Sequence, residues 1–264
     1  MKYIQANTPP PELIKWTAAQ RAAGVNLHFD RFGTVELNGE VRDVKTAVLE
    51  SRIKDQGFIC PYTLLRIETA RKNLDGTVVT PATAHLEHLV PRTVSNNAVP
   101  PRPEETVDYG NMVACFPKNG GDKSHGFGAP MRDDVLLSVS PRDPACERVI
   151  SYHQNGSVNP SQPSSPLEQD PVWIQLNTTL GLNTDKLKRF GRDAFLKAGV
   201  SLDDDPNALD TPEKAEKLAQ EIVLFRRGEK LTPHCVAIAH AARAHAAKLR
   251  KLRAQRAHAR RQPS

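Results

Sequence analysis

The chain has 264 residues, 39% of them hydrophobic and 25% charged, which is enough to bury the core of one or two domains and too apolar for a disordered polymer. Lys and Arg (36) outnumber Asp and Glu (30) for a net charge of +6, no run of 18 apolar residues occurs, and Met1-Lys2-Tyr3-Ile4-Gln5 leads into no apolar segment, so neither a spanning helix nor a secretory signal is expected. Four scattered cysteines (Cys60, Cys115, Cys146, Cys235) form no CxxC pair, which argues against a disulfide framework and suits a reducing, cytoplasmic location.

In chain order, Pro9-Pro10-Pro11 is stiff and extended, and Leu13 and Trp16, three apart, predict a short helix. Residues 25–40 are polar and contain glycine, and read as loop. Val44, Val48, Leu49 and Ile53 predict an amphipathic helix that stops at Gly57. Residues 62–68 and 77–87 read as two strands joined around Asn73-Leu74-Asp75-Gly76. A proline-rich loop over 91–103, a short apolar run over 111–116 and a glycine-rich loop over 118–123 follow. Residues 135–138 and 148–152 look like strands, with Asn155-Gly156 as a turn, and residues 172–180 like a short helix. Asn183 and Thr184 can cap a helix running to Gly199, with Leu187, Phe190, Ala194 and Phe195 on one face. Thr211-Pro212-Glu213 and Thr232-Pro233 start two more.

The charge is concentrated at the C-terminal end. Residues 226–264 hold eleven Lys/Arg and one acid, Glu229, a net of +10 that leaves −4 on the rest. Val236, Ala239, Ala242, Ala246, Leu249 and Leu252 form a narrow apolar stripe on an alanine-rich helix. Arg243, Lys248, Arg250, Lys251, Arg253, Arg256, Arg260 and Arg261 fall mostly on its other faces. Such a tail suits a polyanion such as nucleic acid, or a partner onto which the stripe docks, or is a solvated helix. With no aromatic residue after Phe225, its contacts would be to phosphates.

His85-Leu86-Glu87-His88-Leu89-Val90-Pro91 puts three groups that bind metal or move protons within four positions. On a strand His85 and Glu87 share a face, and twist at the strand end brings His88 toward the same cavity. A carboxylate beside a histidine can bind a divalent cation while an imidazole takes a proton from water. Isolated strand histidines, however, are more often surface or satisfied core groups. Asp108-Tyr109-Gly110-Asn111 and Asn119-Gly120-Gly121-Asp122-Lys123-Ser124-His125 follow downstream.

In their order, these residues resemble the HNH (ββα-metal) endonucleases. The likeness is closer still to the HNH proteins of Septu and retron antiphage systems (PtuB-like). Met1-Lys2-Tyr3-Ile4 with Pro10-Pro11-Glu12-Leu13 carries it, then Gln56-Gly57-Phe58-Ile59-Cys60-Pro61-Tyr62, His85-Leu86-Glu87-His88, Asp108-Tyr109-Gly110-Asn111-Met112-Val113-Ala114-Cys115 and Leu180-Gly181-Leu182-Asn183. It spans roughly residues 1–200.

The resemblance implies an α+β fold: a ββα-metal (HNH) core with additional helices and a long basic C-terminal helix. Its divisions are an N-terminal extension (1–43), the nuclease core (44–135), a family-specific region (136–200) and a helical basic tail (201–264). It implies a metal-dependent endonuclease that hydrolyses DNA or RNA phosphodiesters, using Mg²⁺ or Mn²⁺. Its companions would be an SMC/ABC-type ATPase (PtuA-like) and a retron reverse transcriptase with its RNA–DNA product, with no membrane involved. His88 would be the general base, Glu87 a metal ligand, and His85 a further ligand or a support behind one. Asn111 would brace the loop after His88, and Asp122 or Asn119 would complete the metal site. Lys123, Arg243, Arg250, Lys251 and Arg253 would contact phosphates. The helices over 183–225 would dock the ATPase or pack against 136–160. The chain departs from its relatives at the zinc knuckle, where Thr63 stands for a cysteine and 116–121 offer none. A structural zinc is therefore expected to be absent, with Phe58, Ile59, Tyr62 and Phe116 packing around Cys60 and Cys115 instead. The alternative is a non-catalytic or RNA-directed (for example tRNA-cutting) module of the same fold.

Overall fold

The computed structural model describes residues 1–5, 7–73, 76–200 and 209–259 and is α+β. Helix α1 (Pro11–Ala22) starts on the proline run and buries Leu13 and Trp16. The expected loop over 25–40 contains a hairpin instead, β1 (Thr34–Leu37) with β2 (Glu40–Asp43). Asn38 and Gly39 both take positive φ (54° and 79°), as a two-residue hairpin turn requires. The strands are short and largely exposed, and only Val35 and Leu37 of β1 alternate as half-buried apolar residues. Helix α2 (Val44–Asp55) is capped by Asp43, whose carboxylate accepts from the Thr46 amide at 2.7 Å.

The strands expected over 62–68 and 77–87 do not pair with each other. Residues 62–68 are turn and loop, bridged at Ile59 and Arg66. Residues 77–87 split: β4 (Val78–Thr80) pairs with β3 (Arg71–Lys72), while β5 (His85–His88) pairs antiparallel with β6 (Met112–Cys115). Leu74 and Asp75 of the expected turn lie outside the described residues. The register sets His85 opposite Cys115 and His88 opposite Met112. Every residue of β6 is buried, so pairing there gains far more than a local hairpin would. Gln56 fastens β6 from the other edge, accepting from the Ala114 amide (2.7 Å) and donating to the Ala114 carbonyl (2.8 Å).

Between β5 and β6 lie α3 (Arg92–Asn96) and the proline-rich loop. After β6 comes a 3-10 turn (Lys123–His125) and the single-turn α4 (Ala129–Arg132), where a ββα core implies a longer helix. Gly126 and Gly128, at φ 70° and 88°, interrupt it. Residues 135–138, expected as a strand, are irregular. Strands β7 (Ile150–Tyr152) and β8 (Val158–Pro160) form a hairpin. Helix α5 (Pro171–Ile174) runs into a π-helical turn (Gln175–Thr179), followed by α6 (Asp185–Lys197), α7 (Pro212–Glu221) and α8 (Cys235–Ala259). Thr184 precedes α6 but its hydroxyl caps nothing, and Asn183 instead ties both backbone groups of Val158 (2.7 and 2.8 Å).

Two cores result. Leu13, Trp16, Phe29, Val44, Val48 and Met112 fill the smaller one, beneath α1 and α2. The larger takes Ile53, Ile59, Tyr62, the rest of β6, Ile150, Phe195 and the first half of α8. Helix α8 is thus not an appended tail over its whole length. Cys235 to Ala239, Ala241, Ala242 and Ala246 are buried, a much wider apolar surface than one narrow stripe, and only from Lys248 is the helix mostly exposed. Its small side chains let α7 and β7 pack closely against it. Residues 201–208, Arg260 and Arg261 lie outside the described residues.

His234, just before α8, is buried at φ 59°, and burial first, then the N-terminal ammonium, pull its imidazole down to about 4. The unfolded imidazole takes its proton near 6.5, so stability is lost as pH falls from about 6.5 to about 4, by at most about 3 kcal/mol from this group. His234→Asn, whose side chain tolerates the left-handed backbone, should show a shallower fall in urea midpoint over that window. Superimposable pH profiles would show that His234 is not held neutral.

Candidate active site

Strand β5 carries the titratable groups. His85 and Glu87 project to one side of it, and with His88 they line an open cleft of about 780 Å³. Phe29, Lys45, Arg92, Lys118, Gly120, Gly121, Asp133 and Asp134 form further parts of its wall.

The His85 Nδ1–H donates to the Pro117 carbonyl (2.5 Å), since a carbonyl can only accept. Its Nε2 is buried with no hydrogen-bond partner, 3.6 Å from Glu87 Oε2. Burial lowers the His85 pKa, but Glu87 and the Pro117 carbonyl outweigh it, and the net direction is upward. Gly120 packs on the ring: a Cβ there would lie 2.8 Å from His85 Cδ2 and 3.0 Å from Nε2. His88 is fixed the other way round. Its Nε2–H donates to the Thr106 carbonyl (2.8 Å), which leaves the lone pair on Nδ1, and Phe29 meets the ring edge-on at 4.7 Å. Burial is the main cause that brings His88 down to about 4, so it is a neutral acceptor at pH 7. Two histidines three residues apart are thus pushed in opposite directions.

Asn111 clamps the segment after His88. Its Oδ1 accepts from the Val90 amide (2.7 Å), and its Nδ2 donates to the carbonyls of Val90 (3.2 Å) and Glu105 (2.9 Å). The turn that presents it rests on α2, where Arg52 stacks 3.4 Å above the Tyr109 ring and donates to the Tyr109 carbonyl. The Tyr109 hydroxyl donates to Asp55 (2.6 Å), which Arg227 also binds (2.6 Å).

Arg132 carries no sequence signal and governs the strand end. Fully buried, it donates to Glu87 Oε1 (2.9 Å), to the His88 and Leu89 carbonyls (both 2.8 Å) and to the Val135 carbonyl (2.7 Å). One Glu87 oxygen is thereby held by Arg132 and the other faces His85.

Asn119, Asp122 and Lys123 are not on the cleft wall. Asn119 Oδ1 accepts from the Gly121 amide (3.0 Å) and Asp122 from the Ser124 amide (2.9 Å), so both side chains shape the loop. Lys123 pairs with Asp133 at 2.6 Å. The loop offers Lys118 and its two glycines to the cleft instead, and Asp133 and Asp134 bring the additional carboxylates. Of the α8 cations, Arg250 and Arg253 pair with Glu216 and Glu213 on α7, while Arg243 and Lys251 are exposed. At the knuckle position Cys60, Thr63 and Cys115 are all buried, and burial first, then Cys60, pushes the Cys115 thiol well up. Among the described residues no three His, Cys, Asp or Glu side chains converge as a metal-binding group. The chain matches no family model and no curated protein.

Removing Arg132 would leave Glu87 beside a His85 Nε2 that has no partner, and would free three carbonyls. Arg132→Met should cost about 3 kcal/mol or more in urea unfolding, with part recovered by adding Glu87→Gln. A loss under about 1 kcal/mol would mean the ion pair does not hold the strand end.

Proposed function

We propose that the chain is a metal-dependent endonuclease that hydrolyses nucleic-acid phosphodiesters in the β5 cleft. The observation that carries this reading is the pairing of an unpartnered imidazole nitrogen, His85 Nε2, with Glu87 Oε2 at 3.6 Å, in an open cleft that His88 also lines. Two donors of one cation at about 2.1 Å each lie at most about 4.2 Å apart, so the spacing fits a shared divalent ion. His85 and Glu87 would hold it, and Mg²⁺ or Mn²⁺, which keep several waters, suit so few protein donors. When bound, such an ion polarises a phosphoryl oxygen and stabilises the leaving oxygen.

The chain's own groups supply the rest. His88 Nδ1 accepts the proton of the attacking water, with its ring fixed by Thr106 and Phe29. As water's oxygen bonds to phosphorus, the bond to the sugar oxygen breaks and that oxygen takes a proton from solvent. Lys118 and Lys45 offset charge on the phosphate oxygens, the part expected of Lys123. Arg132 holds Glu87 Oε1, so Oε2 is the oxygen that would face a cation beside His85 Nε2.

The role as effector of an antiphage (Septu- or retron-type) system, with an SMC/ABC-type ATPase as partner and a retron reverse transcriptase as companion, rests on the sequence resemblance alone. A second reading is supported by the turn-bound Asn119 and Asp122: a non-catalytic module of the same fold.

The test is cleavage of mixed DNA and RNA with Mn²⁺, with and without the ATPase. His88→Ala should lose about 10²–10⁴-fold in rate while remaining folded, with a lowered melting temperature because it also gives up the Thr106 bond and the Phe29 packing, and chelation should stop cleavage reversibly. Gly120→Ala, which crowds His85, should also lower the rate without unfolding. Equal rates for wild type and folded His88→Ala would remove the assignment.

A further inference from the structure

We propose that the exposed face of α6, with the adjoining β7–β8 turn, is a track for the phosphodiester backbone of a nucleic acid leading to the β5 cleft. This rests on the nuclease reading for its destination, though not for its binding. Lys186, Arg189 and Arg192 recur at three-residue steps on α6, and all three are exposed. Among the described residues none of them has an acidic partner, whereas Lys188 pairs with Asp185 at 2.8 Å. With Asn155 and the Lys188–Asp185 pair they line an open hollow of about 630 Å³, four cations against one carboxylate.

The face is rigidly placed. Leu187, Gly191 and Phe195 are buried on the opposite side, and the β7–β8 turn lies so close that a Cβ on Gly156 would be 1.9 Å from the Lys188 carbonyl oxygen. The track also reaches the catalytic loop. Lys186 Nζ is 3.5 Å from His125 Nδ1 and 5.9 Å from the Phe127 ring centre, and His125 closes the loop whose Lys118 and Gly120 line the cleft. Six residues at about 1.5 Å each span about 9 Å, a length that covers about three phosphates of one strand. The exposed face has no aromatic residue, because Phe190 and Phe195 pack toward the core, so it holds phosphates without reading bases. The basic end of α8 is the weaker candidate, since Arg250 and Arg253 are already paired with α7.

The experiment measures binding to duplex DNA and to single-stranded RNA in EDTA across a salt series, so that no cleavage intervenes. The variant Lys186→Gln/Arg189→Gln/Arg192→Gln should flatten the log–log salt slope by about 2.7 on duplex DNA or about 2.1 on the single strand, with an unchanged melting temperature. Arg243→Gln/Lys251→Gln should leave the slope within about 0.5 of wild type, and Lys186→Arg/Arg189→Lys/Arg192→Lys should retain it. An unchanged slope in the α6 variant, a larger loss in the α8 variant, or loss of binding to an acidic protein partner with nucleic-acid binding intact would overturn the proposal. Cleavage with Mn²⁺ by the wild type, alongside an unchanged α6 slope, would remove the track and keep the nuclease. The expected slope change without cleavage in any metal would do the reverse.

Discussion

The Arg132 guanidinium is enclosed in protein and bonded at once to a carboxylate and three backbone carbonyls from two segments of the chain. A buried cation is tolerated only when its donors are met, and the acceptors here come from the end of β5 and from the chain beyond α4. The consequence is geometric. The chain after His88 cannot move without breaking charge-assisted bonds, and Glu87 cannot turn both oxygens away from the cleft floor. The pairing of β5 with β6, the clamp of Asn111 on Val90 and the seat of His88 against Thr106 are mutually consistent with that one anchor. The carboxylate beside His85 is thus shared with a buried positive charge.

A second network supports the same site from below. Arg52, buried and pulled down to about 10 by desolvation, stacks on Tyr109 and faces Asp55 at 3.6 Å. Arg227, from the segment before α8, closes the network at Asp55. The C-terminal third of the chain is therefore joined to the element that presents Asn111. The same dependence shows in the core, where α8 fills space beside Ile59 and Tyr62. The β5–β6 hairpin lies between the two cores, with Met112 in the smaller and Val113 to Cys115 in the larger, so it is no free module with a tail.

The helices were legible because their signals are local: the apolar spacing of Val44 to Ile53, the stop at Gly57, Pro212 at a first helical position. The cluster at His85, Glu87 and His88 was legible because adjacent residues with such chemistry stand out whatever the fold. The pairing of β5 was not, because it joins residues some thirty positions apart and is set by the burial of β6. Asn38-Gly39 is a readable hairpin signal, masked by the shortness of its strands, whose only apolar alternation is Val35 and Leu37. Arg132, Lys45 and Gly120 had no local signature, since their roles arise only when distant segments meet. Asn119 and Asp122 are ambiguous in sequence because Asn and Asp next to glycine serve turns as readily as ligands, and here both bond turn amides. The buried half of α8 is hard to read for a related reason: alanine reads as helix former first and as core second, yet its small side chain lets helices pack closely.

The central claim is that His85 Nε2 and Glu87 Oε2 share a divalent cation. A crystal structure of the full chain soaked with Mn²⁺, with anomalous data at the manganese edge, tests it most directly. The account predicts one strong anomalous peak in the cleft, within about 2.4 Å of both atoms and lost in His85→Ala. A peak elsewhere, or none at millimolar Mn²⁺, would contradict it.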